Sequence, residues 1–143
     1  RENLSLRRRT SVPIIWDELA LNEADILQIA SDDGAEGIGL KISKNGGLTK
    51  CRRQRDICLA AGYTMSIQDT TGSDIAFAAI VHLGQTLPKK YLRCILDCRD
   101  MVSVKTADGE FEVTNGFVSA PKSFGLGITP RLDVLGDPVI SYK

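Results

Sequence analysis

The sequence predicts an α/β fold in which strands and helices alternate along the chain. Short apolar segments alternate with segments of helical periodicity from residue 12 to residue 96, in the order β-α-β-α-β-α-β. A charged residue closes each of the four predicted strands: Asp17, Lys41, Asp69 and Asp97. Such a pattern forms a parallel sheet with right-handed connections, in which equivalent strand ends share one rim. We therefore expect function on that rim.

The first half of the pattern is a strand, a helix and a second strand. Residues 12–16 are apolar without alternation, as in a short buried strand. Asn22 is a capping residue for a helix whose apolar positions run to Ala30. Residues 37–42 form the second strand, which contains Lys41. A lysine in a buried strand is costly without a partner or a function, so Lys41 is either a salt-bridged strand-end lysine or a functional group.

The second half repeats the pattern with clear helix boundaries. Gly62 is suited to end one helix at the C′ position, and Ser73 can cap the next. The predicted elements are a helix at 48–61, a strand at 63–68, a helix at 74–83 and a strand at 91–96.

The composition changes after the fourth strand. Residues 101–106 and 110–113 alternate across a turn that contains glycine, which predicts a hairpin. Residues 117–143 are rich in Gly and Pro and carry little helical signal. A tail of this kind usually packs on another surface. We expect a sheet domain at residues 1–100 and a distinct C-terminal segment at 101–143.

The composition argues against several classes of function. The chain has 143 residues and a formal net charge of zero, so charge gives no argument for nucleic acid or a membrane. The basic run at residues 7–9 has no interleaved aromatics and predicts a solvated end or a loop. No apolar run reaches the roughly 20 residues of a membrane span, and no signal peptide is visible. Four cysteines outside CxxC pairs and a single histidine predict reduced thiols in a cytoplasmic protein, without a zinc site.

Two architectures fit the predicted strands and helices. A doubly wound open sheet would be complete at this length, whereas a (β/α) barrel needs about 250 residues, of which this chain would be the second half. The sequence has no P-loop and no GxGxxG motif after a strand, which weakens a nucleotide-binding open sheet. The short run at 125–127 (GLG) predicts a turn in the tail.

The charged strand ends also suggest a chemistry. Desolvation or a nearby cation can lower the pKa of a buried lysine such as Lys41 until it acts as a general base. Removing a proton next to a carboxylate gives an ene-diolate, which needs a divalent cation to be accessible. Asp17 could supply one oxygen ligand to Mg²⁺. Adjacent strand residues face opposite ways, so only one of Asp17 and Glu18 should touch the metal. The alternative is that this pair only opens a loop.

Three segments together resemble the enolase superfamily, in the mandelate racemase/muconate lactonizing enzyme branch. They are residues 15–18 (IWDE), 39–47 (GLKISKNGG) and 69–74 (DTTGSD). The likeness continues through 125–128 and 135–138, so it covers nearly all of this chain and the second half of a family member.

The resemblance implies the C-terminal half, strands 5–8, of a (β/α)₇β TIM-like barrel whose irregular tail packs on a missing capping domain. It implies that Lys41 is the catalytic base of the sixth strand and that Asp17 is the third metal carboxylate. Glu18 is then an outer partner or an alternative Mg²⁺ ligand. A lysine at 41, in place of an aspartate paired with histidine, is nearer the muconate lactonizing side; His82 matches no catalytic histidine. The second-strand lysine and the first two metal carboxylates lie outside this chain.

Within the branch, residues 69–74 and 135–139 are most similar to enzymes of proline derivatives, the cis-3-hydroxy-L-proline dehydratases and hydroxyproline-betaine epimerases. That likeness implies a Mg²⁺-dependent lyase or isomerase of amino acid catabolism, a homo-oligomer when full length. Asp97 and Asp69 would bind the cationic nitrogen of the small carboxylate substrate. Two other functions stay open: a non-catalytic fragment, and a small open-sheet metabolite-binding domain in which Asp17 and Lys41 lie apart.

Overall fold

The computed structural model describes residues 2–70, 72–109 and 111–142. The predicted loop at 69–72 and the predicted hairpin strand at 110–113 therefore each include one position, Thr71 and Glu110, outside the described residues. The helices are α1 (Glu2–Arg7), α2 (Glu23–Ser31), α3 (Gly47–Ala60), α4 (Asp74–Gln85) and α5 (Leu132–Leu135), with a 3₁₀ turn at Arg99–Met101. The strands are β1 (Ile15–Trp16), β2 (Gly37–Lys41), β3 (Thr64–Gln68), β4 (Leu92–Leu96), β5 (Ala107–Asp108), β6 (Val113–Thr114), β7 (Phe117–Val118) and β8 (Thr129–Pro130).

The four main strands form one parallel sheet in the order β1-β2-β3-β4. The predicted alternation of strands and helices from residue 12 to residue 96 is therefore confirmed, with boundaries shifted by a few residues. This order follows the chain without reversal, whereas a doubly wound sheet reverses at a switch point. Consecutive neighbours in chain order are the arrangement found in a (β/α) barrel.

The hydrophobic core lies between the sheet and helices α2, α3 and α4. Because side chains alternate along a strand, one face of β2 and β3 points to the helices. The largest fully buried apolar side chains are Ile26, Ile38, Leu40, Met65, Ile67, Phe77, Ile80 and Val81. The two buried cysteines of α3, Cys51 and Cys58, belong to the same cluster. Burying side chains of this size is the main favourable term in the folding free energy.

The opposite face of the sheet carries small and polar side chains. Register pairs Lys41 with Gln68, and Gly39 lies two residues before Lys41 on the same face. A Cβ added at Gly39 would lie 2.7 Å from Gln68 Nε2 and 3.1 Å from Asp17 Oδ1, so both side chains cross above this glycine. The side chains of Asp17, Lys41 and Gln68 therefore surround Gly39 on this face of the sheet.

The predicted helix boundaries rest on observed caps. Asn22 and Asp25 form a capping box, in which Asn22 Oδ1 accepts from the backbone N–H of Asp25 at 3.0 Å. Ser73 Oγ accepts from the N–H of Ala76 at 3.0 Å at the start of α4. Gly62 follows α3 with a φ of 78°, the left-handed conformation predicted for it.

The predicted hairpin at 101–113 is wrong. β5 instead pairs with the distant β8, and the hairpin is formed by β6 and β7. Its two turn residues, Asn115 and Gly116, have φ values of 52° and 78°, as a type I′ turn requires. Gly109 serves close packing, because a Cβ there would come within 2.7 Å of Ile128 Cγ2.

The N-terminal predictions also need correction. Residues 2–7 form α1, and Arg7 pairs with Glu36, so within the basic run only Arg8 and Arg9 are exposed as predicted. The first strand is limited to β1 because the N–H of Ile14 donates to Glu36 Oε2 at 2.6 Å and not to a strand. Pro13 has no N–H to offer to a ladder.

Two glycines on the same face of β2 should differ in their tolerance of a side chain. A Cβ at Gly37 would lie 2.8 Å from the backbone oxygen of Thr64, which is fixed in β3, whereas the contact at Gly39 is the mobile end of Gln68. We expect Gly37→Ala to lower the free energy of unfolding by about 1–3 kcal/mol, as overpacking does, and Gly39→Ala to lower it by less. Urea unfolding of the two variants measures this, and equal losses would contradict the packing argument.

Candidate functional site

Lys41 closes β2, and its ammonium contacts two carboxylates of the preceding strand–helix connection. Lys41 Nζ lies 2.8 Å from Asp17 Oδ1 and 2.6 Å from Glu18 Oε1. The register of β1 with β2 brings these residues together, because Trp16 pairs with Ile38 and the chain then turns. Lys41 is buried, whereas the side chains of Asp17 and Glu18 are 35% and 64% exposed, so a buried ammonium pairs with carboxylates that reach solvent. The interpretation of Lys41 as a salt-bridged lysine is confirmed; its role as a base stays a prediction.

The strand-alternation argument does not apply to Asp17 and Glu18. β1 ends at Trp16, and the two carboxylates lie in the turn that follows. Both carboxylates therefore contact the Lys41 ammonium instead of facing opposite ways. The structure thus places two negative charges, from one short turn, against one positive charge on the neighbouring strand.

The pKa of Lys41 is shifted in the opposite direction to the one expected. Burial alone would lower it, but the hydrogen bonds and charges of Asp17 and Glu18 outweigh burial and raise the pKa of Lys41 above its ordinary value. The hydrogen bond from Lys41 in turn lowers the pKa of Glu18. In this arrangement Lys41 is protonated and is a proton donor. It can accept a proton only after it has lost one, and the negative charges of Asp17 and Glu18 oppose that loss.

Asp69 stabilises its own loop. It is almost fully buried, its Oδ1 accepts from the N–H of Thr70 at 2.6 Å, and its Oδ2 accepts from the N–H of Gly72 at 2.8 Å. Its predicted role in substrate binding is untested. The carboxylate is already engaged by backbone donors of the β3–α4 loop.

Asp97 lies after β4 and pairs with Arg99. The guanidinium donates from Nε to Oδ1 at 3.0 Å and from Nη2 to Oδ2 at 2.8 Å. The hydrogen bond from Arg99 lowers the pKa of Asp97. The Arg99 guanidinium also lies 3.8 Å from the centre of the Phe77 ring. A cationic substrate group at Asp97 would compete with this arginine.

Gln68 was missed in the sequence analysis, although alternation could have found it. β3 ends at Gln68, which pairs with Lys41 in register and so faces the same way. Asp69, the next residue, was selected for its charge. A count of two along β3 from the partner of Gly39 leads to Gln68 and not to Asp69.

Asp17 and Glu18 are the residues that fit a divalent cation. Their oxygens converge on one positive charge, the Lys41 ammonium, and carboxylates are the ligand type that Mg²⁺ prefers. Within the residues that the structure describes, no group of three or more His, Cys, Asp or Glu side chains could hold a metal ion. The pair is thus of the ligand type that Mg²⁺ takes, and two carboxylates are fewer than the six oxygen ligands of an octahedral site.

The remaining sequence predictions concern residues away from the rim. All four cysteines are unpaired, and burial raises the pKa of Cys51 to about 11 and of Cys58 to about 12, so both are protonated thiols near neutral pH. His82 Nε2 lies 3.1 Å from the carbonyl oxygen of Leu126, which joins α4 to the predicted turn. In the described ranges of the chain, no helix has the length and apolar character needed to cross a membrane.

Comparison with known proteins gives consistent results. A family model described as enolase C-terminal domain-like matches residues 2–134. The cis-3-hydroxy-L-proline dehydratase of Roseibium aggregatum is 41% identical over 142 residues, which are 99% of this chain and 39% of that protein. The chain therefore spans about two fifths of the length of this relative.

Two solved structures share the fold closely. A protein from Aspergillus oryzae, assigned to the mandelate racemase/muconate lactonizing enzyme group, has a TM-score of 0.94 and 69% identity. A protein of the same group from Roseovarius nubinhibens ISM, complexed with magnesium, has a TM-score of 0.94 and 46% identity. In both cases the match covers 99% of this chain and 39% of the other.

Proposed function

The chain belongs to the enolase C-terminal domain-like family, and from this we propose that it carries the Lys41 side of the active site of a proton-abstracting enzyme. The enzyme would remove the α-proton of a small carboxylate substrate, as a hydroxyproline-type dehydratase or epimerase. The chain would form strands 5–8 of a (β/α)₇β barrel. The observation that carries the proposal is the contact of Lys41 Nζ with both Asp17 and Glu18 at the carboxyl ends of β1 and β2.

Lys41 would act as the base of this reaction. Its neutral amine takes the α-proton, and the electron pair of the broken C–H bond moves into the substrate carboxylate as an ene-diolate. In a dehydratase that pair then forms a carbon–carbon double bond as the 3-hydroxyl leaves with a proton as water. In an epimerase the carbon takes a proton on its other face.

Asp17 would hold Mg²⁺, with Glu18 as an additional ligand or as the hydrogen-bond partner that orients Lys41. When bound, the cation supplies positive charge that stabilises the ene-diolate. The remaining work falls to the protein: Asp17 and Glu18 fix the position of the Lys41 amine, and burial of Lys41 excludes water from it.

A proline derivative is the substrate class that the similarity supports best. The relative from Roseibium aggregatum is named for its action on cis-3-hydroxy-L-proline. Asp97, and with it Asp69, would bind the cationic ring nitrogen. Asp97 would have to exchange Arg99 for the substrate, whereas Asp69 would have to release backbone donors. We also propose a cytoplasmic, homo-oligomeric enzyme of amino acid catabolism.

The C-terminal segment would return to a capping domain. Several large apolar side chains there are exposed: Phe117, Phe124, Leu132, Val139, Ile140 and Tyr142. So many exposed large apolar side chains in one segment favour a segment that packs against another part of a protein. This observation equally favours the alternative of a chain without activity of its own. The open-sheet alternative required Asp17 and Lys41 to lie apart, and their 2.8 Å contact contradicts it.

Hydrogen exchange at the substrate α-carbon tests the proposal. The longest natural polypeptide that contains these residues is incubated with Mg²⁺ and cis-3-hydroxy-L-proline or a hydroxyproline betaine in deuterated water. We expect NMR to show loss of the α-proton signal, with water eliminated from the first substrate or epimer formed from the second. Absence of exchange with every cyclic amino acid tried, in a folded and Mg²⁺-loaded protein, would overturn the proposed function.

A further inference from the structure

We infer that Asn45 is a positioning residue, which sets Lys41 against Asp17 and Glu18 by binding both the end of β2 at Lys41 and the connection that carries the two carboxylates. The inference rests on the proposed function for its consequence in catalysis. Its geometry stands on contacts of a buried carboxamide that the proposed mechanism does not use. Asn45 lies in the loop after β2, four residues beyond Lys41, and is 3% exposed.

Asn45 binds both backbone groups of Lys41, its N–H and its carbonyl oxygen. The backbone N–H of Asn45 donates to the carbonyl oxygen of Lys41 at 2.8 Å, and the N–H of Lys41 donates to Asn45 Oδ1 at 2.9 Å. β1 ends at Trp16, opposite Ile38, so no strand continues beside Lys41 on that side. The side chain of Asn45 therefore takes the place of the missing strand partner and fixes the direction in which Lys41 leaves the sheet.

The same carboxamide binds the connection between β1 and α2. Asn45 Nδ2 donates to the carbonyl oxygen of Ala20 at 2.7 Å. The N–H of Ala20 donates in turn to the carbonyl oxygen of Asp17 at 3.1 Å, which closes the turn that holds Asp17 and Glu18. A continuous chain of hydrogen bonds thus runs from the backbone of Lys41 through Asn45 to Asp17.

Gln54 on α3 supports Asn45 from the helix layer. Asn45 Nδ2 donates to Gln54 Oε1 at 2.8 Å, and Gln54 Nε2 donates to the carbonyl oxygen of Asn45 at 3.1 Å. Gln54 is fully buried. All donors and the acceptor of the Asn45 side chain are used, and a buried network in which every group is satisfied specifies one geometry. The substitution Asn45→Asp would keep the acceptor for the Lys41 N–H and lose both donations.

This network offers a variant that cuts the connection and a matched one that does not. Asn45→Asp removes the donation to Ala20 and nearly conserves side-chain shape. Gln54→Met removes a buried partner of Asn45 but leaves its bonds to Lys41 and Ala20. Both should lower the midpoint of urea unfolding, because each leaves buried polar groups unsatisfied. Only Asn45→Asp should move the turn that carries Asp17.

The experiment combines a crystal structure of each variant with the rate of α-proton exchange in the longest natural polypeptide. For Asn45→Asp we expect the Lys41 Nζ to Asp17 Oδ1 distance to exceed the roughly 4 Å limit of an ion pair. We expect kcat to fall about 10- to 100-fold with little change in KM, since small displacements of a catalytic group have effects of this size. Gln54→Met should keep the wild-type distance and kcat. If Asn45→Asp does not fold, Asn45→Ala removes both donations, together with the acceptor for the Lys41 N–H.

Each outcome decides one question. An unchanged Lys41–Asp17 distance in the position 45 variants overturns the inference, as does an equal loss of kcat in Gln54→Met. If the wild-type protein shows no exchange, the proposed function fails, and the distances in the two variants still decide whether Asn45 positions Lys41.

Discussion

Replacing Lys41 with methionine is expected to remove the α-proton exchange activity almost completely. Methionine has a similar length and volume but no amine, so it can fill the space beside Asp17 without accepting a proton. General-base catalysis by a positioned side chain contributes about 10²- to 10⁴-fold to a rate, and the loss should lie in that range. The measurement is the rate at which the substrate α-proton is replaced by deuterium, followed by NMR.

Lys44 provides a matched control for Lys41. It lies three residues further along the chain, its Nζ is 3.7 Å from the same Glu18 oxygen, and its side chain is nearly half exposed. Lys44→Met removes one positive charge from the same neighbourhood, and we expect exchange to stay within about twofold, as for most surface substitutions. Equal losses in the two variants would mean that Glu18 needs positive charge nearby and that Lys41 is not the base.

The rim of the sheet could be predicted because local signals determine it. Periodicity locates the strands, and in a parallel sheet the carboxyl ends of consecutive strands must share an edge. This reasoning brings Asp17 and Lys41 together before any coordinates are known, and the 2.8 Å contact agrees with it. The neighbouring residue Glu18 joins them because both carboxylates lie in the turn after β1, where strand alternation does not apply.

The detailed contacts at the rim could not be read from residue types. Asp69 and Asp97 were selected for their charges, yet one binds backbone N–H groups and the other binds Arg99. Whether a carboxylate faces a substrate or its own loop depends on the conformation of a few loop residues. The sequence shows which charges are present at the rim, but the partners that neutralise them come from tertiary structure.

The C-terminal segment was poorly predicted because its pairings are not local. β5 and β8 contain two residues each and lie about twenty residues apart in the chain, so neither shows a periodicity of its own. The hairpin of β6 and β7 was detectable from Asn115 and Gly116, the strongest short hairpin signal.

Replacing Phe77 with alanine is expected to produce the largest loss of stability among single substitutions considered for this chain. Phe77 is 1% exposed in α4, and its ring meets the Phe111 ring edge to face, with centres 5.0 Å apart. The Arg99 guanidinium covers the same ring at 3.8 Å. Phenylalanine-to-alanine changes in a core cost about 3–5 kcal/mol, and loss of the aromatic and cation contacts should place this one in that range.

Phe124→Ala is the control, because Phe124 lies in the same polypeptide with its side chain fully exposed to solvent. We expect the free energy of unfolding, from urea denaturation, to change by less than about 0.5 kcal/mol in this variant.

Phe77 connects the helix layer to Phe111 of the C-terminal segment and, through Arg99, to Asp97 on the rim. Phe77→Ala should therefore also make the C-terminal segment more sensitive to limited proteolysis. A small loss in Phe77→Ala, similar to that in Phe124→Ala, would show that the C-terminal segment is not held to the sheet domain through this ring.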